Sequence, residues 1–412
     1  MIPPRNTVKA RNTSCQKHRL PSQTPHDKRT QGPFEEVRMP KHTRPRPAAH
    51  AVRIALVLLS AAASLFPSAA SATPVPPPAN NSAPSGLVVV IENKPQQAQL
   101  NLQALNNPLI SGVALQIRWR DIEAVQGKPD WSKLDQLFAA AESSHKWVQL
   151  LIFPGFWSPP WALEGAQTLT LPIQYGPGKG TLEKLPLPWD RVYLNHWFDF
   201  LKQLSAKYGN SPAFRVAAVA GPTSVSAEFT LPHKPEEMQE WRRVGYTPSK
   251  YIEAWKQVFE VYAADFPNQY VSLSMGFGMN IDDLGKKDAR AGKPTKEAII
   301  DEGIRIFGRR FVLQNSNLDG YPEPQRGVHG IPLVISYNGR IITGFQLRTS
   351  CLRNSGNMGA EGDPPLALRK CIDRGTLPNA SGHRINYLEI YEPDVLAPEM
   401  QPVLHYGASL FQ

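Results

Sequence analysis

Short apolar runs recur along this chain, and between them lie longer stretches in which apolar residues return every three or four positions. The runs are Gly86–Ile91, Gly112–Ile117, Trp147–Phe153, Phe214–Val219, Tyr270–Met275, Phe311–Gln314, Ile341–Gln346 and Ile385–Ile390. Runs that are apolar throughout, and do not alternate, fit strands buried on both faces. The stretches between them read as amphipathic helices. Trp131 to Ala141 puts Leu134, Leu137 and Phe138 on one face; Val192 to Tyr208 does so with Leu194, Trp197, Phe198 and Leu201; Lys250 to Phe266 does so with Ile252, Trp255, Phe259 and Tyr262. Strand followed by helix, eight times over, predicts an α/β chain of the TIM (β/α)8-barrel type. A doubly wound open sheet gives the same alternation, and the count of eight favours the barrel.

Composition changes the picture at the N-terminus. The chain of 412 residues carries a formal charge of +10. Residues 1–72 hold 12 of the 45 basic side chains and 3 of the 35 acidic ones, which leaves 33 against 32 for the remainder. The high pI therefore belongs to the N-terminal segment, and the rest shows no basic stripe for a nucleic acid. Arg53 precedes the apolar run Ile54–Phe66, and Ala70-Ser-Ala72 follows it, the order of a secretory signal peptide. The run is short for a membrane span, so the expected product is secreted or periplasmic, with an uncleaved anchor as the alternative. Met1 and Met39 are both candidate starts. Residues 1–72 are assigned to a basic extension plus signal peptide, 73–85 to a Pro-rich linker and 86–412 to the barrel domain. N-terminal sequencing of exported protein should begin at Thr73, and an intact cytoplasmic product would end this reading.

Cysteine usage agrees with export. Cys351 and Cys371 are the two that remain after the cleavage site, and the sequence predicts a disulfide between them. No CxxC, HExxH or Cys/His cluster with zinc spacing occurs, so neither a metal nor another cofactor is expected. Gly176-Pro-Gly-Lys-Gly-Thr181 does not match a phosphate-binding loop and reads as a turn.

The candidate chemistry sits where the runs end. Glu228 follows the fourth run, and Glu389 lies within Ile385-Asn-Tyr-Leu-Glu-Ile-Tyr391. Carboxylates at the C-terminal ends of barrel strands point toward the mouth, and a pair of them is what attack on a glycosidic bond requires. Phe156-Trp157-Ser-Pro-Pro-Trp161 offers two indoles in a Pro-stiffened loop, suited to the apolar face of a sugar ring or to anchoring a core. Arg118 and Trp119 close the second run; Arg118 binds a ring hydroxyl, tunes a carboxylate or joins an ion pair. Asn315 and Asn317 close the sixth, where amides bond sugar hydroxyls or cap the loop through Asx turns.

The segment Gln116-Ile-Arg-Trp-Arg-Asp-Ile-Glu-Ala-Val-Gln-Gly-Lys-Pro-Asp-Trp-Ser-Lys-Leu-Asp135 resembles the second βα unit of β-galactosidase-like (clan A) glycoside hydrolases, with Ala124 and Pro129 at two departures. The resemblance implies a (β/α)8 barrel, an acid/base glutamate from strand four and a nucleophile from strand seven. Glu228 matches the first by location, although Ala227 precedes it where the family has Asn. On strand seven Gln346 stands where a glutamate is expected. Glu389 is then the nucleophile or base, from strand eight or from a seventh strand reached by a count one lower, with Glu392 and Asp394 as nearby substitutes. The expected function is an exported glycoside hydrolase acting on an oligo- or polysaccharide, with Glu228 and Glu389 catalytic. Arg118, Trp119, Trp157, Trp161, Asn315, Asn317, Gln346 and Tyr391 are expected to bind substrate. The alternative is a non-catalytic carbohydrate-binding barrel, which Gln346 supports.

Overall fold

The computed structural model describes residues 82–94, 96–174, 178–221, 228–322 and 330–412. The basic extension, the signal peptide and residues 73–81 of the linker lie outside the described residues. Eight parallel strands close into a barrel: β1 (Gly86–Glu92), β2 (Ile110–Arg118), β3 (Trp147–Phe153), β4 (Phe214–Ala218), β5 (Tyr270–Ser274), β6 (Phe311–Leu318), β7 (Ile342–Leu347) and β8 (Tyr387–Tyr391). They are the eight apolar runs, in order. β8 closes the ring on β1, with Val88 opposite Glu389. The count has therefore not slipped: Gln346 is on the seventh strand, and Glu389 faces it from the eighth.

The return segments are α1 (Ser132–Ser143), α2 (Arg191–Tyr208), α3 (Pro235–Arg243), α4 (Pro248–Asp265), α5 (Gly292–Phe307), α6 (Ile331–Tyr337), α7 (Pro364–Gly375) and α8 (Gln401–Ser409). Leu134, Leu137, Phe138, Leu194, Trp197, Leu201, Trp255, Phe259 and Tyr262 are buried as their spacing requires, whereas Phe198 and Ile252 are half-buried. Asp190 caps α2 by accepting from the amide of Tyr193 at 2.9 Å. The first crossover departs from the expected alternation. Among the described residues between β1 and β2 the chain makes only the 3-10 turn Gln103–Asn106, because Asn101, Asn106, Asn107 and Pro108 favour turns over helix. An antiparallel ribbon, Thr168–Pro172 with Leu182–Pro186, is inserted before α2. The glycine-rich segment lies between its strands, and residues 176 and 177 of it lie outside the described residues.

Strand alternation splits the core in two. Outward-facing side chains pack under the helices, while Val88, Val90, Ala114, Trp147, Val216, Tyr270, Val312 and Tyr387 fill the floor of the barrel. Trp147 and Tyr387 meet edge to face there, 5.7 Å apart at 84°. Inward-facing glycines make room for them. A Cβ on Gly344 would stand 2.4 Å from the Tyr387 ring, and one on Gly112 2.5 Å from the indole of Trp147. Gly344→Ala should therefore destabilise the fold by about 1–3 kcal/mol through overpacking. An unchanged denaturation midpoint would show that the floor yields without cost. Among the described residues, no helix is long and apolar enough to cross a membrane.

Candidate active site

Above the apolar floor the interior turns polar. Gln116 of β2, Gln149 of β3, Ser272 and Ser274 of β5, Gln314 of β6, Gln346 of β7 and Glu389 of β8 line a cavity of about 10 Å³, close to the size of one water. Gln346 follows the inward-facing Gly344 by two positions and each of the others follows a floor residue by two or four, so alternation aims them inward. Gln149 Nε2 donates to Glu389 Oε1 at 2.6 Å and to Gln314 Oε1 at 3.1 Å, and Tyr387 Oη donates to that same Gln314 oxygen at 2.8 Å. A second chain runs beside it: Gln116 Nε2 donates to Gln346 Oε1 at 3.0 Å, and Gln346 Nε2 to Tyr391 Oη at 2.8 Å.

Glu389 is 1% exposed. Burial pushes its carboxyl up to about 8, and the hydrogen bonds from Gln314 and Gln149 only partly oppose that. β8 continues for two residues beyond it, and the Tyr391 hydroxyl held by Gln346 belongs to the next layer toward the mouth. Glu389 is thus an interior group below the rim.

Glu228 sits higher. Ten residues after β4 the chain returns to the barrel, and Glu228 pairs in parallel with Ser274, the last residue of β5. Asn317 on β6 donates from Nδ2 to Glu228 Oε1. Desolvation pushes the Glu228 carboxyl up to about 7 against that hydrogen bond. The adjacent Phe229 is fully buried against Trp255 in the helical layer. Glu228 is not among the residues that line the Glu389 cavity. The two carboxyls are connected through Ser274, which pairs with Glu228, registers with Gln314 and lines the Glu389 cavity.

The other candidates divide by strand parity. Arg118 is the last residue of β2 and turns to the rim, where its Nε donates to Asp121 Oδ2 at 2.8 Å. Its guanidinium lies over Trp157, 5.0 Å from the ring centre, and that of Arg120 lies 4.6 Å away. Trp157, stacked with two cations and 5% exposed, presents little ring surface to a sugar. Trp119 is one residue past Arg118 and so faces outward. It is fully buried among Trp161, Tyr193, Trp197 and Phe200 and donates to Glu123 Oε2 at 3.0 Å, so no ligand can touch it. Glu123 also accepts from the amide of Gly127 at 2.8 Å, which makes this family-like segment a structural corner. Trp161 half-covers Trp119 and donates to the Glu123 carbonyl at 3.0 Å, on the barrel's flank. Asn315 is 2% exposed and its Oδ1 accepts from the Asn317 amide at 3.0 Å, an Asx turn that positions Asn317.

Asp394 and Glu392 do not stand in for Glu389. Asp394 is fully buried and holds the loop after β7, accepting from Ser350 Oγ at 2.8 Å and from the amides of Cys351 at 3.0 Å and Leu352 at 2.7 Å. Glu392 opens the short helix Glu392–Leu396. The expected disulfide is not formed in this structure: Cys351 and Cys371 are buried free thiols. Cys371 Sγ donates to the Met358 carbonyl at 3.5 Å, and the neighbouring Cys371 together with burial holds the Cys351 thiol far above its usual range. Gln149 and Tyr387, the closest polar neighbours of this network, were missed from sequence. The available signal was a glutamine inside the apolar run Trp147–Phe153.

The fold and the polar barrel mouth define the class as a (β/α)8 barrel. No protein-family model matches the sequence, and no curated protein does. Solved structures similar to it include the catalytic domain of the major endoglucanase from Xanthomonas campestris pv. campestris, with 10% identity, 81% of this chain and 97% of that one covered, and a TM-score of 0.45. Xylanase 10B from Thermotoga petrophila RKU-1 in complex with xylobiose is similar at 9% identity, over 74% of this chain and 82% of that one, with a TM-score of 0.44. A cold-adapted β-galactosidase from Rahnella sp. R3 is similar at 9% identity, over 82% of this chain and 57% of that one, with a TM-score of 0.49. At such distances the likeness assigns no substrate and no site residue.

Proposed function

We propose that this chain is an exported glycoside hydrolase, in which Glu228 protonates the leaving oxygen of an O-glycosidic bond and Glu389 serves as nucleophile or base. The observation that carries the reading is the Glu228 carboxyl: an acid bridged to the end of β5 at the barrel mouth, oriented by Asn317 and raised to about 7. A general acid needs that combination of placement and raised proton affinity. Arg118, Gln346, Asn317 and Tyr391 supply polar contacts to the sugar, and Asn315 acts by positioning Asn317.

The protonation states decide how much Glu389 can do. The productive form keeps Glu228 protonated and Glu389 ionised. With Glu228 raised to about 7 and Glu389 raised further, to about 8, that form is a minority of the enzyme at every pH. The expected profile is therefore a bell centred near pH 7.5. Its acid limb reports Glu389 taking up a proton, and its alkaline limb reports Glu228 losing one. Undiminished hydrolysis at pH 5 would reject the role of Glu389. Sugar must also displace the Tyr391–Gln346 contact to reach that carboxyl.

A second reading, saccharide binding without hydrolysis, is favoured by Gln346 on the seventh strand and by the depth of Glu389. Screening the exported form on aryl glycosides and polysaccharides separates the two: cleavage supports the first, and binding without cleavage supports the second.

A further inference from the structure

Trp161 faces a groove of about 480 Å³ on the flank of the barrel, within the size range of small-molecule sites. One wall is the corner after β2, at Gln126 and Gly127; the other is α2, through His196, Asp199, Lys202 and Gln203. On α2 the spacing of His196, Asp199, Gln203 and Ala206 is three, four and three, a single stripe running about 15 Å along the axis. The helix starts at the mouth end and runs back toward the floor, so the stripe leads down the flank. No residue of this groove lines the Glu389 cavity.

We infer that this groove is a second saccharide-binding site, separate from the barrel mouth. The indole of Trp161 is half-buried and fixed from behind: Nε1 is bonded to the Glu123 carbonyl at 3.0 Å, and Trp119 abuts it edge-on at 5.5 Å. The His196 ring stands against it at 5.4 Å and 79°. A rigid indole meets the C–H face of a sugar ring without further ordering. The side chains of Gln126, His196, Asp199 and Lys202 form no hydrogen bond or ion pair among the described residues, so their donors and acceptors are available to hydroxyls. The walls carry two anionic side chains and one cationic, Glu123 and Asp199 against Lys202, and Glu123 is already held by Trp119 and the Gly127 amide. That mixture fits a neutral polyol better than a phosphate or a cation. The choice of ligand class rests on the glycoside hydrolase reading, and the geometry of the groove does not.

The test is titration of the full exported chain with cellotetraose, xylotetraose and β-1,4-galactotetraose, following the His196 ring signal by NMR and affinity by calorimetry. At least one probe should shift His196. The double variant Asp199→Ala/Gln203→Ala, on the outer face of α2, should raise Kd at least tenfold while leaving turnover of a small aryl glycoside unchanged. An unaltered Kd in that variant, or no His196 shift with any probe, overturns the inference. Glu228→Gln separates the two claims. If no glycoside is cleaved by either form yet His196 still responds, the hydrolase reading fails and the groove stands.

Discussion

Glu228→Gln should lower kcat on any glycoside this chain cleaves by about 10²–10⁴-fold. The amide keeps the shape and can still meet Asn317, but it has no proton to give to the leaving oxygen. KM should change little, since the loss falls in the transition state. Stability should also change little, because the side chain sits at the mouth and not in the floor or the helical layer. A substrate with a good leaving group, such as a dinitrophenyl glycoside, needs less proton transfer and should recover part of the rate. An unaltered rate with a poor leaving group would remove the acid role. Loss of folding along with activity would show Glu228 to be structural.

Oxidation should produce the second large effect. Cys351 lies in the loop after β7, and Cys371 lies on α7. Both thiols are buried, and the Asp394 carboxylate pins the Cys351 loop by three hydrogen bonds. In an oxidising compartment, or with oxidised glutathione as acceptor of the two electrons, a disulfide should form. Closing about 20 residues contributes roughly 3 kcal/mol in the chain-entropy account. Tm should rise by several degrees over the reduced protein. Two thiols that stay reactive after denaturation of oxidised protein would reject the bond. So would equal melting of the reduced and oxidised forms.

The order of the eight strands was legible in the sequence because each is buried on both faces, which leaves an apolar run that no neighbouring segment imitates. The α1, α2 and α4 faces were legible for the related reason that one stripe packs on the sheet. Glu228 and Glu389 could be singled out because a carboxylate at the end of such a run is costly unless it is used or paired. Depth was not legible. Alternation tells that Gln149, Gln314, Gln346 and Glu389 face inward, but only the closed register, with Glu389 opposite Val88 and Gln346, fixes the layer in which they meet. That layer lies under Tyr391, and burial there raises the proton affinity of a group that sequence placed at the rim. The tryptophans show the same limit. A residue type well suited to a sugar platform is equally suited to a core, and a one-residue change of parity sends Trp119 under the helices while Arg118 takes the mouth. Strand count and facing are local properties of the chain. Depth, pairing and access depend on which distant strands close the barrel, and only the tertiary structure decides them.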